Sequence, residues 1–511
     1  MCSSDLARES SALAYVAESV ATLQTDVGRL TSLMERLAGQ VSHDTTPAAL
    51  GDKTLATLRV GHRVEDFGGG DGEAVLTAEE QNTLSRCLSE TEVVKFLTPF
   101  LWNMRVSGNV ADPCRSVLVN SENLAWLDNL ESPLRDMRLK PDLFVAPRVC
   151  VLTQPGTEKQ GSGACFLFGR LADARLQRDG CVRELYEAKL GSLTLAHFGE
   201  LVMYHRLIPG ECRGMLFSDK GFWLYSSYDA HPVALVRSTW TTGGSAERLR
   251  RFFDQDAPPP PPLVPLLRHL LTELGVRPVT VALDGVGTAF LGSGGSGRVF
   301  AVEYCAPTSR SVEHARNMKR MALKVVPAGG KDGQVYQDLT TEFNALATAA
   351  DRGAPVVQVV ADSFRLAPPL GGGFLLGCCG QAFNASASAD ACAAAFLSLA
   401  ALHERGVLHG DARVANLVSV HKRPMWIDLA YAVLTGGGVE ALPRDLCQQD
   451  ARTLATSVLL PLTAHATTPH QLPPAVEVAL DGYDSASSSS VATLASAVWA
   501  AAATSDARGA A

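Results

Sequence analysis

The chain contains no C-x-x-C pair, although it has twelve cysteines. They are scattered singly apart from Cys378-Cys379. That excludes a zinc knuckle or a disulfide framework and points to thiols kept reduced. No apolar run approaches the ~20 residues of a membrane helix, and Met1 to Glu9 carry no apolar signal-peptide core. An intracellular protein of the cytoplasm or nucleus is expected, with no membrane partner. Basic charge is also short: 45 Lys and Arg face 53 Asp and Glu, for a net charge of −8. A chain coated for nucleic acid is excluded, so any such binding needs a local patch. Charged residues make up only 19% and apolar residues 46% of the sequence, which predicts packed cores rather than disorder. At 511 residues there is room for two or three domains.

Residues 1–42 carry a heptad through Leu13, Val16, Val20, Leu23, Val27, Leu30, Met34, Leu37 and Val41. Steps of three and four predict a coiled-coil helix and a homo-oligomer, with stoichiometry open. Residues 43–80 read as a flexible linker, Gly68-Gly69-Gly70-Asp71-Gly72 lying near its end. Pro258 to Pro262 are consecutive, which predicts a stiff spacer over 254–279. It parts a domain over 81–253 from one over 280–505, and 506–511 read as a disordered tail. The expected class is α+β, multidomain.

His409-Gly410-Asp411-Ala412-Arg413-Val414-Ala415-Asn416 reads H-G-D-x-x-x-x-N, and an apolar strand ending Trp426-Ile427-Asp428 follows. This is the spacing of a phosphotransferase loop. Asp411 would face an acceptor hydroxyl, with Arg413 grouped beside it as catalytic. Asn416 and Asp428 would hold Mg²⁺ on the phosphates of ATP. Upstream, Gly292, Gly294, Gly297 and Val299 fit G-x-G-x-x-G-x-V. The glycines lead into a β-type run, so a lid over phosphates fits better than a dinucleotide site, which would open a helix. Lys324 interrupts the apolar run 321–326, and Glu342 sits on a predicted helix where Leu339, Phe343 and Leu346 recur. Lys324 is the expected phosphate-binding residue and Glu342 its partner.

These residues resemble the protein-kinase superfamily, which implies a bilobal, ATP- and Mg²⁺-dependent fold with a protein Ser/Thr hydroxyl as acceptor. Gly410 replaces the usual Arg, Asp428-Leu429-Ala430 replaces D-F-G, and no A-P-E lies between Asp428 and Asp450. Asp450 opens an apolar segment resembling the helix that braces the catalytic loop. H-G-D also occurs in small-molecule phosphotransferases of the aminoglycoside type, so that acceptor class stays open.

In the middle domain, Pro141-Asp142 opens a short apolar strand, and Glu187-Ala188-Lys189 lies in another. Alternation puts Glu187 and Lys189 on one face. Two carboxylates can bind Mg²⁺ or Mn²⁺, and a Lys beside them can act at the attacking water. Asp142 with Glu187 and Lys189 resembles the P-D…(D/E)-x-K pattern of restriction-endonuclease-like nucleases. Glu200 and Tyr204, four apart on the next predicted helix, resemble the Q-x-x-x-Y of RecB-type nucleases with Glu for Gln. Glu90 and Glu92 are first-helix candidates for the same metal. The resemblance implies an α/β domain with Asp142 and Glu187 as metal ligands, Lys189 as catalytic and DNA as a partner, with Arg135, Arg138 and Lys140 as a local patch. An insertion over about residues 150–180 is required.

The order of a nuclease-like domain, a Pro linker and an H-G-D kinase-like domain resembles the C-terminal regions of some Crinkler-type effector proteins, over residues 80–505. Their L-F-L-A-K header is absent. A signalling scaffold with one or both sites catalytically dead is the competing class.

Overall fold

The computed structural model describes residues 64–66, 71–104, 112, 114–121, 124, 126–127, 139–153, 159–161, 164–228, 231–254, 260–283, 286–294, 297–305, 320–328, 334–435, 442–459 and 472–509. They form a mixed α/β protein that divides into two compact units. The first comprises 1–110, 116–146 and 153–259, the second 111–115, 147–152 and 260–511. The heptad of 1–42 lies outside the described residues, as do Arg135 and Arg138. No disulfide forms among the described cysteines. Among the described residues no helix is long and apolar enough to cross a membrane.

The first unit is built on a twisted mixed sheet. Its strands are β1 (Val64–Asp66), β2 (Ser116–Asn120), β3 (Leu143–Pro147), β4 (Ala164–Leu171), β5 (Glu184–Lys189), β6 (Cys212–Ser218), β7 (Phe222–Tyr228) and β8 (His231–Ser238), in the order β1-β8-β7-β6-β5-β3-β2-β4. Strand β5 runs antiparallel to β3 and parallel to β6. A parallel neighbour needs a crossover; here it is a helix, α2 (Leu195–Arg206), with Thr194 as its N-cap. Helix α1 (Glu90–Met104) is amphipathic and buries Val93, Val94, Leu97, Leu101 and Trp102. Residues of β5 are buried on both faces, as a central strand requires.

One buried group of this unit makes its stability sensitive to acid. His205 on α2 is buried, and neither ring nitrogen has a hydrogen-bond partner. Its ring packs edge-on against Tyr225 and fills the space over Gly214, where a Cβ would come within 2.4 Å of Nε2. Burial pulls its pKa down from 6.5 to about 3. The unfolded chain therefore binds a proton that the folded one refuses. Stability is full above pH 6.5 and falls as pH drops toward 3. Between pH 7.5 and 5 the loss should reach about 2 kcal/mol. Urea unfolding at the two pH values should show His205→Leu losing less by that amount; equal losses would exclude the ring as the cause.

From residue 260 the second unit contains α3 (Leu263–Glu273) and β9 (Val276–Pro278), followed by β10 (Phe290–Ser293), β11 (Arg298–Tyr304), β12 (Met321–Pro327), α4 (Gln334–Asp351), β13 (Arg365–Ala367) and β14 (Gly371–Leu376). The sheet order is β9-β11-β12-β14-β13, with β10 paired to β11. Then come α5 (Ala389–Glu404), β15 (Val407–Leu408), a 3₁₀ turn (Val414–Asn416), β16 (Leu417–Val420), β17 (Arg423–Trp426), β18 (Val433–Leu434), α6 (Arg444–Leu459), α7 (Pro474–Asp481) and α8 (Ser488–Gly509). A hydrophobic core runs under these elements, with Trp426, Phe396, Leu399, Leu454 and Tyr483 among its fully buried members.

Three boundaries differ from the sequence reading. The 43–80 stretch is not a linker at its end: β1 pairs with β8, and residues 72–76 hydrogen-bond to 240–246. The 254–279 stretch is not a spacer beyond Pro259. Pro262 caps α3 and Pro265 sits in its first turn, where a missing N–H costs nothing, and Leu263, Leu266, Leu267 and Leu270 are buried. The last helix continues through 506–509, because its alanine-rich run favours helix.

Candidate functional site

In the second unit three separated segments bring charge together. Lys324 on β12 places Nζ 2.6 and 2.7 Å from the two carboxylate oxygens of Glu342 on α4. The same Nζ lies 3.1 Å from Oδ1 of Asp428, just after β17. Lys324 and Glu342 are 7% and 4% exposed, so neither charge could be held there without the other. Burial pulls the Lys324 ammonium down, but Glu342 and Asp428 outweigh it, so the pKa is raised and the group stays cationic. The glycine turn closes nearby. Gly294 N–H donates to Gly297 O at 2.9 Å, and a Cβ on Gly297 would sit 2.9 Å from Cε of Lys324. A side chain at 297 would push the Lys324 side chain aside. A Cβ on Gly294 would be 3.6 Å from Oδ2 of Asp428. Gly292 pairs across to Val299 in the β10–β11 hairpin. Residues 295 and 296 lie outside the described residues.

The loop from His409 to Asn416 is tied to the segment carrying Asp428, the cluster's second carboxylate, through a shared brace. Asp450 of α6 accepts from His409 N–H at 2.7 Å and Gly410 N–H at 3.0 Å, and pairs with His403 Nε2 at 3.2 Å. Burial holds His409 below its ordinary pKa, against Asp450. The neutral ring then serves both sides: Nδ1 accepts from Asp411 N–H at 3.3 Å, and Nε2–H donates to Ile427 O at 3.1 Å. One histidine thus ties the Asp411 loop to the Asp428 segment. Gly410 has φ +76°, and a Cβ there would lie 2.3 Å from the Tyr431 carbonyl. A larger side chain at this position would clash with that carbonyl. Asp428 itself takes φ +62°, a conformation that Asp tolerates better than most residues.

Asp411 is half-buried. Its Oδ2 receives Arg413 Nη2 and, at 3.1 Å, Asn416 Nδ2, which also donates to the Asp411 carbonyl at 2.9 Å. With Nδ2 committed to Asp411, the Asn416 side-chain oxygen is the atom able to ligate a cation.

The first unit holds a separate cluster. Asp142, one residue before β3, accepts from Ala188 N–H through Oδ2 at 2.7 Å. That bond locks the carboxylate of one strand onto the backbone between Glu187 and Lys189. Lys189 Nζ lies 2.7 Å from Glu187 Oε1 and 3.1 Å from Glu200 Oε2. Tyr204 OH donates to Glu200 Oε1 at 3.0 Å, one helical turn on. Burial, then the Asp142 charge, pushes Glu187 well above the usual carboxylate range, with Lys189 pulling against them. Glu187 Oε2 is buried without a hydrogen-bond partner. Of the two first-helix candidates, Glu90 acts electrostatically on Lys189, whereas Glu92 accepts from Leu88 N–H at 2.7 Å. Lys140 is exposed next to Asp142.

No protein-family model matches the chain, and no curated protein matches it.

Among the described residues no group of three or more His, Cys, Asp and Glu side chains forms a ready metal cage. Each cluster offers a different donor set: Asn416 and Asp428 in one, Asp142 and Glu187 in the other. Two oxygen donors suit Mg²⁺, which keeps several waters and takes its remaining ligands from substrate phosphates. The orphaned Glu187 oxygen beside a second carboxylate fits a cation. Sequence reasoning passed over His403, whose link to Asp450 crosses 47 residues, and Asp219, whose Oδ1 accepts from Gly191 N–H at 2.6 Å. It also passed over the buried Glu184–Arg213 pair, to which Tyr186 OH donates. Their signal, single polar residues within or just after apolar elements, was present but carried no spacing rule.

Proposed function

We propose that the second unit is an ATP- and Mg²⁺-dependent phosphotransferase of protein-kinase-like type. The observation that carries this reading is the convergence of Lys324, Glu342 and Asp428, from three segments, beside a loop holding Asp411 and Asn416. Bound Mg²⁺ would neutralise charge on the phosphates of ATP. Lys324, kept cationic by Glu342, would hold phosphate oxygens under the Gly292–Gly297 turn. Asn416 and Asp428 would hold the cation. Asp411 would orient the acceptor hydroxyl and accept its proton, with Arg413 fixing the carboxylate. A protein hydroxyl is the favoured acceptor, and a small-molecule hydroxyl the other. The test is incubation of purified chain with labelled ATP and Mg²⁺. Transfer of label to the chain itself or to a generic protein acceptor supports the reading. Hydrolysis and transfer both absent, with ATP bound, moves this unit to the scaffold class.

The first unit supports a second reading, a metal-dependent nuclease of restriction-endonuclease-like type acting on DNA. Its particular observation is the Asp142–Ala188 bond, which joins the two acidic strand segments beside Lys189. Asp142 and Glu187 would hold Mg²⁺ or Mn²⁺, and Lys189 would stabilise charge at the attacked phosphate. The pairing of both readings in one chain underlies the Crinkler-type effector-like proposal, with an intracellular site of action and self-association through residues 1–42.

A further inference from the structure

We infer that His197 is a phosphate-binding residue of the first unit's site, donating Nε2–H to an oxygen of the scissile phosphodiester. The inference rests on the nuclease reading and adds a residue that neither acidic strand segment supplies.

His197 lies on α2 three residues before Glu200 and seven before Tyr204. These positions share one helix face. Glu200 fixes what that face meets, because its carboxylate contacts Lys189 Nζ at 3.1 Å. His197 therefore sits one turn nearer the open end of the helix, where it is only part-buried while Glu200 is buried. Lys189, Glu200 and Glu90 all act on the ring.

The ring is also fixed in one tautomer. Thr194 and His197 form a reciprocal cap: His197 N–H donates to Thr194 Oγ1 at 3.4 Å, and Thr194 N–H donates to His197 Nδ1 at 3.4 Å. An accepting Nδ1 puts the proton of the neutral ring on Nε2. Burial, then Lys189, lowers the ring's pKa, so the neutral form prevails at pH 7. The distal N–H is then a donor on the helix face that carries Glu200, a second donor besides Lys189. A phosphodiester oxygen is an anionic acceptor, and Nε2–H supplies a contact that no carboxylate there can.

Two substitutions separate this role from helix capping. His197→Asn keeps an acceptor near Nδ1 and loses the distal donor. His197→Lys keeps a distal donor and, having no acceptor, loses the cap. Plasmid cleavage by the full chain with Mg²⁺ should show His197→Asn raising KM about tenfold, with kcat within a factor of about three. His197→Lys should regain most of the affinity that His197→Asn loses. The reverse order would assign the ring to capping alone and overturn the inference. Equal impairment of both variants, or of neither, would overturn it as well. Binding of a fluorescein-labelled DNA duplex in Ca²⁺ provides the same comparison if the wild type does not cut. A wild type that neither cuts nor binds overturns this inference together with the nuclease reading. If Lys189→Ala abolishes cutting while both His197 variants match the wild type, the nuclease reading stands and only the role of His197 fails.

Discussion

Asp411→Ala is expected to remove phosphoryl transfer by the second unit while ATP still binds. A positioned proton acceptor contributes typically 10²–10⁴-fold, so the residual rate should fall to about 1% or below. The substitution should leave the loop in place. The loop's anchor on α6 is made by backbone N–H groups of His409 and Gly410 on Asp450, and the Asn416 amide keeps its bond to the Asp411 carbonyl. Asp411 is also half-buried, so its removal leaves no buried charge of its own. Asp428→Ala should behave differently. It removes a proposed cation ligand and one of the two carboxylates at Lys324, so Mg·ATP binding should weaken along with turnover. Fluorescent-nucleotide titration and labelled-phosphate transfer, run on both variants, separate the two effects. Full turnover by Asp411→Ala would end the assignment of that residue, and unchanged Mg²⁺ dependence in Asp428→Ala would end the other.

Lys189→Ala in the first unit should reduce plasmid nicking in Mg²⁺ by about 10²–10³-fold, the range for losing one preorganised charge-stabilising donor. Part of the effect would be structural. Lys189 neutralises Glu187 and Glu200, both largely buried. Without it these carboxylates repel, and stability falls too, by up to about 3–5 kcal/mol. Asp142→Asn is therefore the cleaner partner. Its amide oxygen can still accept from Ala188 N–H, but the charge offered to a cation is gone. Nicking should fall as strongly, with little change in melting temperature. Equal nicking by wild type, Lys189→Ala and Asp142→Asn would mean that another site or a contaminant cuts. Binding without cutting by the wild type would place this unit in the scaffold class.

How far the two clusters could be read in advance follows from how their residues are spaced. Glu187 and Lys189 share a strand face, and Glu200 and Tyr204 a helix face, because the backbone repeats of strand and helix act within a few residues. Asp411, Arg413 and Asn416 lie within one turn and meet for the same reason. The apolar runs around Lys324 and before Asp428 were legible as strands. Glu342 was legible as helical, since Leu339, Phe343 and Leu346 share its period. The boundaries were less legible. Pro262 and Pro265 look the same in a spacer as in the first turn of a helix; buried leucines that follow them decide the matter.

The sequence by itself determined which local elements form, and which polar residues interrupt their apolar faces. It also carried the glycine at 410 without its reason. Tertiary structure alone decided which distant groups meet: Lys324 with Glu342 and Asp428, Asp142 with the Ala188 backbone, Lys189 with Glu200, and Asp450 with the loop 40 residues before it. Local spacing sets the direction a side chain takes from its own strand or helix. The packing of β12 against α4, and of β5 against β3 and α2, sets what it meets, because a buried charge must find its partner within a few ångströms. The same packing leaves Gly410 no room for a side chain, as the Tyr431 carbonyl already fills that space.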